Sequence, residues 1–155
     1  MTFDPNHEEP LRELQQELHR ASTITPGLMA DVIAGACQRL PALARTEQAR
    51  VVRLVASGAL IDATLVLLAL DLPQWKLRRL IYDDGQWHCS LSKHIELPVE
   101  LDDAAEANHD SLPLAILSAL VEARLHSLTT DESRPQSVPQ VPPMQGYAIC
   151  CDNFA

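Results

Sequence analysis

The residues best suited to chemistry are the histidines and the cysteine near position 90. His88, Cys89 and His94 are close in sequence, and imidazole and thiolate groups serve as zinc ligands and as catalytic groups. Neighbouring side chains on a strand point to opposite faces, so His88 and Cys89 diverge. His88 and His94 lie roughly 20 Å apart along an extended strand. Because zinc ligands must converge on one point, we expect no metal site and no cofactor.

Arg79 could activate Cys89. In the hairpin register that we prefer, Arg79 lies opposite Cys89, and a nearby cation stabilises a thiolate and makes it reactive. The simpler interpretation is that the arginine stem packs on apolar neighbours while its head reaches Asp62 or Asp71. We favour the simpler interpretation and keep a small enzyme with a site near Cys89 as an alternative hypothesis.

The remaining motifs also favour a non-catalytic protein. Cys150 and Cys151 could bind a soft metal or act as a redox pair, but a bridge between adjacent cysteines is strained. We interpret them as free thiols. The sequence contains no Gly-rich phosphate loop, no G-x-S-x-G and no H-E-x-x-H, the short motifs that identify common reactions.

A β-hairpin is the most distinctive predicted element, at about residues 75–93. The stretch holds both tryptophans and both lysines, and its centre, Asp83-Asp84-Gly85, is a turn signal because glycine accepts the positive φ that hairpin turns need. An isolated two-stranded hairpin is marginal in water. The hairpin should therefore pack on the helices that surround it in the sequence.

Two registers of the hairpin are possible. A two-residue loop at Asp84-Gly85 pairs Ile81 with His88, whereas a three-residue loop from Asp83 to Gly85 pairs Ile81 with Trp87. We prefer the three-residue loop with a Gly bulge, because it collects the apolar side chains on one face. That face would hold Trp75, Leu77, Arg79, Ile81, Trp87, Cys89 and Leu91. The opposite face would hold Lys76, Arg78, Leu80, Tyr82, Gln86, His88, Ser90 and Ser92.

Apolar periodicity predicts five helices around the hairpin. They cover roughly Glu8 to Ala21, Pro26 to Leu40, Glu47 to Ala56, Ala59 to Leu70 and Leu112 to Leu128. Thr25 and Thr46 are the expected caps. The fourth helix is apolar nearly all round and should be central and buried, as should the last. The narrow leucine stripe of the first helix could dock on the body or pair with another helix. The acidic stretch after the hairpin contains a possible short helix at Asp103–Ala107.

These elements predict an α+β fold that is mostly α: a bundle-like domain of four to five helices with one hairpin packed on it. Its 155 residues are enough for one domain with a real core. The predicted domain covers 1–128. Residues 129–155 form a Pro-rich, extended linker with a short apolar C-terminal segment.

Charge and hydropathy limit the partners. The formal net charge of −9 argues against a general nucleic-acid coat, although residues 39–93 carry eight basic against five acidic residues. The longest strongly apolar run, Ala63 to Leu70, is far shorter than the ~20 residues that span a bilayer. The acidic, polar N-terminus is unlike a signal peptide. We expect a cytoplasmic bacterial protein with no membrane partner.

The order of short helices followed by a hairpin resembles a winged helix-turn-helix, which would imply a nucleic-acid-binding regulator. The fourth helix would then read base edges, which requires polar or basic side chains, and LIDATLVLLAL offers none. Nucleic-acid binding is therefore disfavoured and stays an alternative. The residues that could contact phosphate are Lys76, Arg78, Arg79, Arg50 and Arg53.

The leading hypothesis is a non-catalytic interaction or adaptor protein that binds a protein partner or self-associates. It follows from the leucine-striped first helix, the Trp-rich hairpin and the opposed charge zones. The expected contact residues lie on the polar face of the hairpin, with Tyr82 as an aromatic anchor beside Lys76, Arg78 and His88. No catalytic residue is predicted.

Overall fold

The computed structural model describes residues 8–132 of the chain, and side-chain surroundings for 8–130. The described part is α+β and mostly helical, as predicted, but it contains a three-stranded antiparallel sheet rather than a hairpin alone. The helices are α1 (Glu8–Arg20), α2 (Pro26–Ala36), α3 (Arg45–Ala56), α4 (Leu60–Asp71) and α5 (Leu112–Glu132), and the strands are β1 (Lys76–Asp83), β2 (Gln86–Ser92) and β3 (Ala105–His109). The predicted Pro-rich tail falls mainly on residues 133–155, outside the described residues.

Helix α5 is the centre of the core. One side packs against β2 and β3, and other contacts reach α1, α2 and α4. Leu114, Leu117, Leu120 and Val121 are fully buried, which confirms the predicted core helix. The stretch Leu112–Thr130 is long and apolar enough to cross a bilayer by length and composition, but 61% of its apolar window is buried inside this fold.

The first two helices begin as the sequence predicts. The leucine stripe of α1 docks on the body, because Leu11, Leu14 and Leu18 are buried in the common core. Thr25 caps α2, since its Oγ1 accepts a 3.1 Å hydrogen bond from the Leu28 N–H. Helix α2 ends at Ala36, four residues before the predicted Leu40, and Pro41 lies in a separate 3₁₀ turn, Leu40–Ala42.

Two helix predictions were wrong in detail. Helix α3 begins at Arg45, and its N-cap residue Ala44 offers no side-chain hydrogen bond, so Thr46 is not the cap. Helix α4 is not buried all round: Ala63 and Leu67 are in the core, but Ile61 and Leu65 are 41% and 37% exposed. The packed elements cover only one side of this short helix, so the remaining apolar residues face outward.

The third strand replaces the predicted short helix at Asp103–Ala107. β3 pairs with β2, with Ala105 opposite Leu91 and Ala107 opposite Cys89. Alanine and glutamate favour helix as isolated residues, but pairing with β2 and packing of small side chains against α5 outweigh that weak preference. Helix α5 also runs to Glu132, past the position where the linker was expected to begin.

Candidate interaction surface

The turn of the hairpin is a two-residue loop, which corrects the preferred register. Asp83 pairs with Gln86, and Asp84 and Gly85 have φ of 50° and 80°, the positive values of a type I′ turn. Near the turn, Ile81 therefore lies opposite His88. Aspartate tolerates the left-handed conformation better than most residues do, so Asp84 can occupy the first central position.

A bulge at Arg78 restores the predicted pairing farther along β1. Arg79 lies opposite Ser90, whereas Leu77 lies opposite Leu91, and the register shifts between them. Such a bulge inserts one residue into the strand, so that the side chains beyond it point to the opposite face from the one they would occupy without the insertion. The pairing of Leu77 with Leu91 was predicted correctly, but the extra residue that produces it sits in the strand and not at the turn.

The two faces of the sheet are consequently different from those expected. We call the face that carries Cys89 and Leu91 the inner face, because both are buried in the core, and the opposite face the outer face. Leu80 and Tyr82 pair with Cys89 and Trp87 and share the inner face. The outer-face side chains of β1 are Lys76, Arg79, Ile81 and Asp83.

The four predicted contact residues do not form one cluster. Tyr82 is 58% exposed, and its ring lies 5.1 Å from that of Trp87 on the inner face. Lys76 and His88 are exposed and lie on the outer face. Arg78 occupies the bulge, where its side chain is only 15% exposed. Their predicted common face was wrong because the register differed.

Arg78 holds the segment that joins β2 to β3. Its guanidinium donates to the Asp102 carboxylate at 2.7 Å and to the carbonyl of Leu97 at 2.6 Å. The Asp102 side chain is 1% exposed. This charge-assisted pair fixes residues 93–104, here called the connection, against β1.

The connection presents a row of exposed apolar side chains that sequence analysis missed. Ile95, Leu97, Val99 and Leu101 are 56%, 36%, 60% and 72% exposed, and we call them the connection stripe. Glu96 and Glu100 alternate with them. This alternation of apolar and acidic residues was visible in the sequence and could have marked the segment.

The outer face also holds an open concavity of about 330 Å³. Cross-strand pairing sets Arg79, Ser90 and Glu106 in one row and Ile81, His88 and Asn108 in the next. Among the described residues, no group of three or more His, Cys, Asp or Glu could hold a metal ion.

Cys89 and Cys37, the two cysteines in the described part of the chain, are unsuited to nucleophilic chemistry. Burial raises the pKa of Cys89 to about 12, and Arg79 lies opposite Ser90 rather than Cys89. The thiol is therefore protonated at neutral pH, which removes the physical basis for a thiolate stabilised by Arg79. Burial, reinforced by the charge of Asp71, likewise raises the pKa of Cys37 to about 12.

Asp71 is paired with a different arginine from the one proposed. Arg124, on α5, forms an ion pair with the Asp71 carboxylate and donates to the carbonyl of Ala36 at 2.9 Å. The other Asp71 oxygen accepts a 2.6 Å bond from the Arg39 N–H. These contacts join α4 and α5 to the end of α2, so Asp71 has a structural role.

Comparison of the chain with protein-family models, with curated proteins and with solved structures finds no match.

Proposed function

We propose that this chain is a non-catalytic protein-interaction domain whose contact surface is the hairpin together with the connection stripe. The observation that carries the proposal is the concentration of exposed apolar side chains in one stretch of the chain. Of ten large hydrophobic residues exposed in the described part, seven lie between Leu77 and Leu101. Four of the seven belong to the connection stripe, and exposed apolar side chains grouped on one segment are typical of interaction sites.

The charge around the stripe defines the class of partner. The connection contributes Glu96, Glu100 and Asp103 as acidic side chains that stay exposed. A complementary partner is therefore a protein surface with an apolar centre and a basic rim. The anchoring of the connection by Arg78 lowers the ordering cost of binding, because the segment is held before the partner arrives.

The two alternatives have weaker physical support. An enzyme centred on Cys89 would need a thiolate, and burial raises the pKa of that thiol to about 12. A winged-helix regulator would need α4 to present polar side chains, but its exposed side includes Ile61 and Leu65. The bulge arginine, Arg78, is engaged with Asp102 and is not free for phosphate.

The test is a pull-down from the source organism at low salt, with and without nuclease. The bait is compared with a Val99→Ser/Leu101→Ser variant and with a Val52→Ser control, which removes a similarly exposed apolar residue from α3. A protein that survives nuclease, is lost with the stripe variant, is kept by the control and binds directly when purified would support the proposal.

Two results would contradict it. Equal capture by the wild type and the stripe variant would exclude the connection stripe as the contact. Loss of all captured material after nuclease would favour the regulator instead, and binding to duplex DNA that falls steeply with salt would then be expected.

A further inference from the structure

The outer edge of β1 is unpaired in the part of the chain that the structure describes. The strand order is β1-β2-β3, so β1 and β3 are the two edges. The β3 edge is flanked by α1, whose Gln16, His19 and Arg20 line cavities together with Asn108. The eight-residue β1 edge pairs with no other described strand. The connection contacts β1 through the Arg78 side chain at the bulge, and an edge without a paired strand is a template for another strand.

The bulge makes this edge complementary to itself. Strand β1 has seven regular positions from Asp83 to Lys76 when Arg78 is counted as the inserted residue of the bulge. If a second β1 lies antiparallel with Leu80 opposite Leu80, Lys76 faces Asp83 and Leu77 faces Tyr82. Arg79 then faces Ile81.

The two residues of each pair lie on the same face of the sheet. Lys76, Asp83, Arg79 and Ile81 belong to the outer face, whereas Leu77 and Tyr82 belong to the inner face, as do both copies of Leu80. Directly opposed residues of an antiparallel pair must share a face. Without the inserted residue, Lys76 and Asp83 would have opposite facings and could not be paired.

We propose that a second copy of this chain pairs with the β1 edge, antiparallel and in this register, so that two three-stranded sheets join into one. The inference goes beyond the proposed function, because the second copy binds the β1 edge and not the connection stripe. Two Lys76–Asp83 contacts, one at each end, favour this register by charge. Leu77 and Tyr82, which are 40% and 58% exposed, become opposed apolar partners.

The charge distribution favours this occupant over a general acidic strand. A bulge and basic side chains often protect an edge from chance pairing. Opposite charges meet in two registers: the one centred on Leu80 pairs all seven regular positions, whereas the one centred on Ile81, with Arg79 opposite Asp83, pairs only five. The two Arg79 side chains are not directly opposed in the register centred on Leu80, because each faces Ile81.

The experiment uses the full chain and measures its dimer dissociation constant by sedimentation equilibrium. Lys76→Asp and Asp83→Lys each place like charges together at both ends and should weaken the dimer by about tenfold or more. The double variant Lys76→Asp/Asp83→Lys restores opposite charges and should return to within about threefold of the wild type. Within one copy these residues lie roughly 20 Å apart, so rescue reports contact between copies.

Arg53→Asp, on the exposed side of α3, is the matched charge-reversal control and should leave the constant unchanged. Circular dichroism spectra verify that every variant is folded. A wild type that stays monomeric at high concentration, single variants without effect, or a double variant that is not rescued would each overturn the proposal. A monomeric wild type that still captures a partner through the connection stripe would overturn the dimer and leave the proposed function standing.

Discussion

The Arg78 guanidinium and the Asp102 carboxylate meet at 2.7 Å, with Asp102 almost fully buried. The bulge that reverses the facing of β1 therefore also supplies the cation that anchors the connection. One inserted residue links the open β1 edge to the connection stripe. Changes at this pair should alter both surfaces together.

Replacing Asp102 by alanine should destabilise the fold by about 3 kcal/mol, because it leaves a partly buried guanidinium without its charged partner. Urea unfolding measures the free energy, and limited proteolysis should show faster cleavage within residues 93–104. Asp103→Ala is the matched control: the Asp103 side chain is 87% exposed, so its removal should change the free energy of unfolding little. Equal stability of the two variants would contradict the anchoring role.

Asp71→Ala should cost about 3–5 kcal/mol, because the change breaks a buried ion pair and leaves Arg124 uncompensated. The Arg39 N–H loses its acceptor in the same variant, which adds to the loss. The measurement is urea unfolding followed by circular dichroism. Arg12→Ala, which removes the exposed Arg12–Glu8 pair, should leave the midpoint unchanged. An Asp71→Ala midpoint equal to that of the wild type would exclude a structural role for this pair.

Sequence was sufficient for features set by local chemistry. The Thr25 cap and the location of the hairpin turn at Asp83–Gly85 depend on residues that are neighbours in the chain, and both were predicted. The leucine stripe of α1 was predicted as an apolar face, but what covers it was left open. The core role of α5 followed from its apolar composition over many turns.

Features set by contacts distant in sequence were not predicted. The strand β3 forms only because β2 offers an edge to residues of ordinary helix propensity. The partner of Asp71 is 53 residues away, and no periodicity distinguishes Arg124 from Arg79. The predicted hairpin register was wrong. The pattern of apolar side chains indicates one inserted residue in the hairpin, but the sequence alone does not show whether that residue lies at the turn or at Arg78. The predicted contact surface was wrong for the same reason, because the register decides which side chains share a face.

Gly85→Ala should destabilise the fold by roughly 1 kcal/mol or more, because Gly85 has φ of 80° and a Cβ is strained in that region. There is open space around the position, so the cost is conformational and not steric. Gly27→Ala is the control: it lies in α2, and an added Cβ would make an ordinary 3.9 Å contact with Thr25. Thermal unfolding should show a lower midpoint for Gly85→Ala and an equal or higher one for Gly27→Ala. The reverse order would contradict the type I′ turn.

Cys37 and Cys89 should resist thiol reagents at neutral pH in the folded protein. Burial raises the pKa of both thiols from 9.0 to about 12, so the thiolate that reacts is scarce. Because the pKa of each thiol is higher in the folded than in the unfolded state, the contribution of the protonated thiols to the free energy of unfolding is complete below pH 9. That contribution is lost as the pH rises from 9 towards 12. The measurement is the number of thiols labelled in a Cys150→Ser/Cys151→Ser variant, which should be none when folded and two in urea. Rapid labelling of folded Cys89 would revive the hypothesis of a reactive cysteine, and Cys89→Ala, which keeps Cys37, would identify the site.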